Sequence, residues 1–111
     1  MKVIFWAILA LVLGYPADTS AAEELTAGDA EACKMVSQIA EKIMTARQVG
    51  VPMANAMDVM IDSPGVLGNA GKVLVEMAYE VPRFQTEEFQ HREVVEFGNQ
   101  AYSMCLRAKS K

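Results

Sequence analysis

The chain has 111 residues, and its 14 acidic side chains outnumber its 10 lysines and arginines, which gives a formal net charge of −4. An acidic chain without a basic cluster lacks the phosphate contacts that supply most nucleic-acid affinity, and it is not attracted to anionic lipid. We therefore expect no nucleic-acid partner.

The first residues have the pattern of a secretory signal peptide. Lys2 precedes eleven consecutive apolar residues, 3–13. Eleven helical residues span only about 16 Å, roughly half of a membrane's hydrocarbon core, so this run is too short for an anchor. Small residues at the third and the first position before the cut favour cleavage after Ala22. We predict a signal peptide over 1–22, a single helical domain over 23–111, a periplasmic or secreted location, and no membrane insertion after cleavage.

The stretch that follows has the apolar period of an amphipathic helix. Its apolar side carries Ala32, Val36, Ile39, Ile43 and Ala46, and its polar side carries Lys34, Ser37, Gln38, Glu41, Lys42 and Gln48. Thr26 or Asp29 is a suitable N-cap for this first helix. Gly50 is positioned to end it, because glycine readily adopts the left-handed conformation of a helix C-terminus.

A proline opens a second, short predicted helix over 52–62. The glycine-rich stretch 62–72 has the composition of a loop. A third helix is predicted over 69–80 with Asn69 as its cap. Pro82 stops it, because the residue before a proline disfavours helical geometry.

The last helix is predicted to begin after Thr86, a good N-cap, and to run to about Arg107. A glycine in the middle of a helix costs about 1 kcal/mol relative to alanine. Gly98 therefore predicts that another helix approaches closely at that position.

The chain has two cysteines, Cys33 near the start of the first helix and Cys105 near the end of the last. The sequence contains no C-x-x-C pair, the pattern that is typical of redox chemistry. In an oxidising compartment the two cysteines are therefore predicted to form one structural disulfide. An up-and-down arrangement of helices brings these two points to the same end of a bundle. We predict an all-α, four-helix bundle-like domain with two long and two short helices, and one disulfide that joins the first helix to the last.

The sequence contains little that indicates an active site. The single histidine, His91, lies on the predicted exposed side of the last helix, and no second Glu-x-x-His segment completes a metal site around it. No serine has the G-x-S-x-G context of a hydrolase. We predict no enzymatic activity, no catalytic residue, no metal ligand set and no cofactor.

Three methionines of the second helix, Met53, Met57 and Met60, have the spacing i, i+4, i+7 and share one face. They have three interpretations. Methionine fills irregular gaps in small cores, and this helix has few other side chains to bury. Thioethers are also preferred ligands of Cu(I). Finally, a methionine-lined groove adapts its shape to different partners.

Tyr79 and Phe84 lie on either side of the proline turn between the third and fourth helices. They either cover the crossover between those helices or belong to a binding patch. The candidate binding surface therefore comprises Met53, Met57, Met60, Tyr79 and Phe84.

These features predict a small secreted or periplasmic, non-enzymatic protein. The leading hypothesis is a protein-interaction module, chaperone-like or inhibitor-like, whose partner is another protein. One version is a conditional chaperone, because the thirteen carboxylates beyond residue 22 lose their charge below about pH 4 and the bundle could loosen. The alternative hypothesis is a small-ligand or Cu(I) binder that uses the methionine-lined surface.

Overall fold

A computed structural model describes residues 24–110; the predicted signal peptide lies outside the described residues. The described chain contains four helices: α1 (Ala27–Val49), α2 (Met53–Asp62), α3 (Gly65–Glu80) and α4 (Glu87–Lys109). No strand occurs within this part of the chain. The predicted all-α fold with two long and two shorter helices is confirmed.

Both ends of α1 follow from the predicted local signals. The backbone N–H of Asp29 donates to Thr26 Oγ1, and the backbone N–H of Thr26 donates to Asp29 Oδ2, each at 3.1 Å. These two bonds form a reciprocal capping box. The bond from the Thr26 backbone holds the pKa of Asp29 below its ordinary value. At the other end, Gly50 has a φ of 93°, which confirms it as the left-handed terminator.

The boundary between α2 and α3 differs from the prediction. The stretch 62–72 is not a loop, because α3 begins at Gly65 and Asn69 lies inside the helix rather than at its cap. Only two residues therefore connect α2 to α3. Gly68 and Gly71 are buried in α3, where a methyl group would collide with the Ser63 carbonyl and the Met60 side chain, respectively. These glycines permit close packing between helices and do not mark a turn.

The start of α4 agrees with the prediction, since Thr86 Oγ1 accepts a hydrogen bond from the Phe89 N–H at 3.2 Å. The helix ends at Lys109, two residues beyond the predicted end. A Cβ atom built on Gly98 would lie 2.7 Å from Glu41 Cγ, so α1 does approach α4 closely at this glycine.

The helix α1 is central to the packing, because it contacts α4 along one side and α3 along another, whereas α2 packs mainly on α3. The core between these helices is built from Ala40, Ile43, Met44, Leu74, Val75, Ala78, Phe97 and Ala101. The predicted disulfide is present: Cys33 and Cys105, 72 residues apart, have Cα atoms separated by 5.4 Å. It joins the start of α1 to the end of α4.

None of the helices within residues 24–110 is long and apolar enough to cross a membrane.

Candidate functional site

The helix α2 is the least buried element of the described chain. Seven of its ten residues are apolar, yet none is buried. Val59 is 60% exposed and Ile61 is 56% exposed. Single exposed apolar residues are common, but several on one short helix mark a candidate interaction surface.

An apolar groove of about 640 Å³ lies between α1 and α2. Ile39, Ile43 and Ala46 form its α1 wall. Its remaining lining residues are Lys42, Val51, Asn55, Ala56, Val59, Met60, Ser63, Pro64 and Leu67. The groove exists because α2 leans on α3 and leaves the apolar face of α1 partly uncovered. This volume is within the range of about 300–1,000 Å³ that is typical of small-ligand sites.

The groove has few polar groups. Its only charged lining residue is Lys42, whose side chain is exposed, and Asn55 and Ser63 are the uncharged polar ones. The Ser63 hydroxyl donates to the Val59 carbonyl at 3.0 Å and so is already paired within the protein. A ligand in this groove would therefore contact mainly apolar side chains, together with the Lys42 ammonium and the Asn55 amide.

The three predicted methionines occupy different environments. Met60 lines the groove, and its thioether lies against Gly71 of α3. Met57 is partly buried against the core, whereas Met53 is 40% exposed. The packing of Met57 and Met60 agrees with the interpretation that methionine fills gaps in a small core.

Tyr79 and Phe84 lie outside the groove, in the junction that ties the α3–α4 connection to the end of α1. The Tyr79 hydroxyl donates to the Val51 carbonyl at 2.7 Å, and the Arg47 guanidinium lies 5.2 Å from the centre of the Tyr79 ring. Burial raises the pKa of Tyr79, and the Arg47 charge opposes that rise. The phenol therefore remains a hydrogen-bond donor at neutral pH.

Gln48 is the centre of this junction, and its predicted place on the polar side of α1 is wrong. Its side chain is only 2% exposed. Its amide nitrogen donates to the Pro82 carbonyl at 3.0 Å, and its amide oxygen accepts from the Phe84 N–H at 2.8 Å. These two bonds satisfy backbone groups of the connection that no helix satisfies. The junction is therefore occupied by structural contacts.

The predicted candidate binding surface contains one residue of the groove, Met60, and most of the α1 wall was predicted to be apolar, but a groove between α1 and α2 was not predicted. Ile39, Ile43 and Ala46 were predicted to face a core, and Lys42 was predicted on the polar side. The predicted orientation of these α1 residues is correct. A single sequence does not show, however, that α2 covers the apolar ones only in part.

Within residues 24–110, no three His, Cys, Asp or Glu side chains cluster to form a candidate metal site. His91 is exposed on α4. Comparison of the chain with protein-family models, with curated proteins and with solved structures finds no match. The groove geometry is therefore the basis for a functional hypothesis.

Proposed function

We propose that this chain is a non-enzymatic binding protein that takes up a small apolar molecule in the groove between α1 and α2. The observation that carries the proposal is the groove itself: about 640 Å³, lined mainly by apolar side chains, in a domain of this small size. A concave apolar site with few polar groups is the usual form of a small-ligand site.

The disulfide supports the proposal that the protein works in the periplasm or outside the cell. Structural disulfides form and persist in oxidising compartments and are rare in the cytosol. The bridge between Cys33 and Cys105 closes most of the described chain. A secreted carrier or scavenger of apolar molecules is consistent with this location.

The size of the groove favours a small ligand over the protein partner that the sequence alone suggested first. A stable protein interface buries about 800 Å² on each partner. A helix of ten residues, like α2, is only about 15 Å long. One wall of this length suits a single chain-like molecule better than a full protein interface.

The test is the binding of N-phenyl-1-naphthylamine, an uncharged dye that fluoresces in apolar sites. We expect the protein to bind the dye, and we expect Val59→Asp to weaken binding at least about tenfold, because a charge in the apolar wall would lose its hydration. The change should leave stability within about 0.5 kcal/mol, since Val59 is 60% exposed.

Val73→Asp is the matched control, because Val73 is 52% exposed on α3 and lies outside the groove. It should bind the dye like the unaltered protein. Equal losses in both variants, or no dye binding by the unaltered protein, would exclude the groove as the site.

A second candidate function is the docking of another protein, in a chaperone-like or inhibitor-like role. The observation that favours it is that exposed apolar side chains continue beyond the groove, at Ile61, Val66 and Val73. This candidate predicts that the protein suppresses light scattering by an aggregating model client at pH 2–3, and that Val66→Gln reduces the protection. If no protection occurs, the chaperone-like form of this candidate is removed and the small-ligand proposal is unaffected.

A further inference from the structure

The single cation of the groove lacks the partner that helical lysines commonly have. On a helix, a lysine pairs with carboxylates three or four residues away. The four residues at those distances from Lys42 are Gln38, Ile39, Thr45 and Ala46, and none is acidic. Within residues 24–110, the only ion pair joins Arg92 to Glu88. No carboxylate of α1 therefore lies one turn from Lys42, and the side chain of the adjacent Glu41 packs against Gly98 of α4.

Two other lysines have a carboxylate at such a spacing, although within the described residues neither forms an ion pair. Lys34, also on α1, has Glu31 three residues before it, and Lys72 on α3 has Glu76 four residues after it. Neither of these lysines lines the groove. Lys42 is the lysine that lines the groove, and it has no carboxylate three or four residues away on its helix.

The carboxylates of the opposite wall do not line the groove. Asp58 and Asp62 are the acidic residues of α2, and both are exposed and outside the groove lining. The groove is thus an apolar surface with a positive charge at its rim, in a chain whose net charge is −4.

We propose that the ligand is a single-chain anionic amphiphile of the fatty-acid type, a proposal that rests on the binding function proposed above. Its hydrocarbon chain would lie against Ile39, Ile43, Val59 and Leu67, and its carboxylate would pair with the Lys42 ammonium. This assignment uses the two chemical features of the groove together, the apolar walls and the lone cation. A neutral or cationic chain would use only the first.

The experiment measures displacement of N-phenyl-1-naphthylamine by dodecanoate and by dodecyltrimethylammonium, both as monomers at low ionic strength. These probes have chains of equal length and opposite headgroup charges. The net charge of the protein attracts the cationic probe, so a preference for dodecanoate requires a local cation. We expect dodecanoate to bind at least about fivefold more tightly than dodecyltrimethylammonium. This ratio corresponds to the upper end of the range of energies that is typical of one exposed ion pair.

Lys42→Met keeps the length and apolar stem of the side chain but removes its charge. We expect this variant to lose the preference for dodecanoate, with the affinity of each probe calculated from the dye affinity measured for the same variant. Lys34→Met is the control on the same helix, and it should keep the preference.

Several outcomes would overturn the inference: equal affinity for the two probes, tighter binding of the cationic probe, or a preference that survives in Lys42→Met. If the protein binds the dye in any of these cases, the small-ligand function stands and only the ligand class is wrong. If the protein binds neither the dye nor dodecanoate, both proposals fail.

Discussion

The pair of helices α1 and α4 and the short helix α2 use apolar residues in opposite ways. Between α1 and α4, the disulfide fixes one end, Glu41 packs on Gly98, and Phe97 is almost fully buried. In α2, seven of ten residues are apolar and none is buried. Apolar composition therefore does not determine burial in this protein; the length of the helix and the position of its neighbour do.

This difference separates a framework from the proposed binding surface. The long helices bury their apolar sides against each other, and this burial stabilises the fold. The helix α2 is held by its short connection to α3 and by the glycines that let α3 approach, and it leaves part of the apolar face of α1 uncovered. The uncovered part is the groove.

Removal of the disulfide tests whether the framework depends on its covalent link. We expect replacement of both Cys33 and Cys105 by serine to lower the free energy of unfolding by about 4 kcal/mol, the chain-entropy value for a closed loop of this length. That is a large share of the roughly 5–15 kcal/mol of a typical domain. Urea unfolding followed by circular dichroism measures it.

Unfolding the unaltered protein under reducing conditions is the control, and it should give the same loss. A loss below about 1 kcal/mol in both experiments would mean that packing alone holds α1 on α4.

A smaller effect is expected at the junction that joins the framework to the α3–α4 connection. Gln48→Met keeps the side-chain volume but leaves the Pro82 carbonyl and the Phe84 N–H without partners. We expect a loss of about 2 kcal/mol, because each partly buried backbone group that loses its bond carries a desolvation cost. The midpoint of urea unfolding reports this change.

Gln38→Met is the matched change on the exposed side of α1, and it should shift stability by less than about 0.5 kcal/mol. Similar effects of the two substitutions would show that Gln48 does not hold the connection.

The smallest expected effect tests how α2 is attached. Gly68→Ala places a methyl group against the Ser63 carbonyl, and we expect a loss of about 1 kcal/mol or more although alanine is the better helix former. Gly28→Ala in α1 is the control, since the nearest atom to its added methyl group is Thr26 Oγ1 at 3.7 Å.

Gly28→Ala should be neutral or slightly stabilising in thermal unfolding. If Gly68→Ala is equally well tolerated, α3 does not pack closely on the end of α2, and the position of the groove wall is not fixed by these glycines.

The features that were predicted correctly depend on local or unique signals. Thr26, Thr86 and Gly50 act within one helical turn, and two cysteines allow only one intramolecular pairing. The start of α3 was missed because a glycine can either permit close helix packing or form a turn, and the sequence looks the same in both cases. Only the neighbouring helix distinguishes them.

The errors at longer range have a similar cause. Gln48 was assigned to the polar side because its side chain is polar, but its partners Pro82 and Phe84 are 34 and 36 residues away. The groove was missed because the periodicity of α1 predicts which residues turn inward, but not whether α2 covers them.

We propose that the groove between α1 and α2 binds apolar molecules while α1 and α4 form the framework. Amide chemical shifts recorded as N-phenyl-1-naphthylamine is added test it most directly. We expect changes at groove residues such as Ala46, Val51, Ala56 and Val59, and none along the exposed side of α4. Changes that are concentrated on α4, or the absence of any change at the groove, would contradict it.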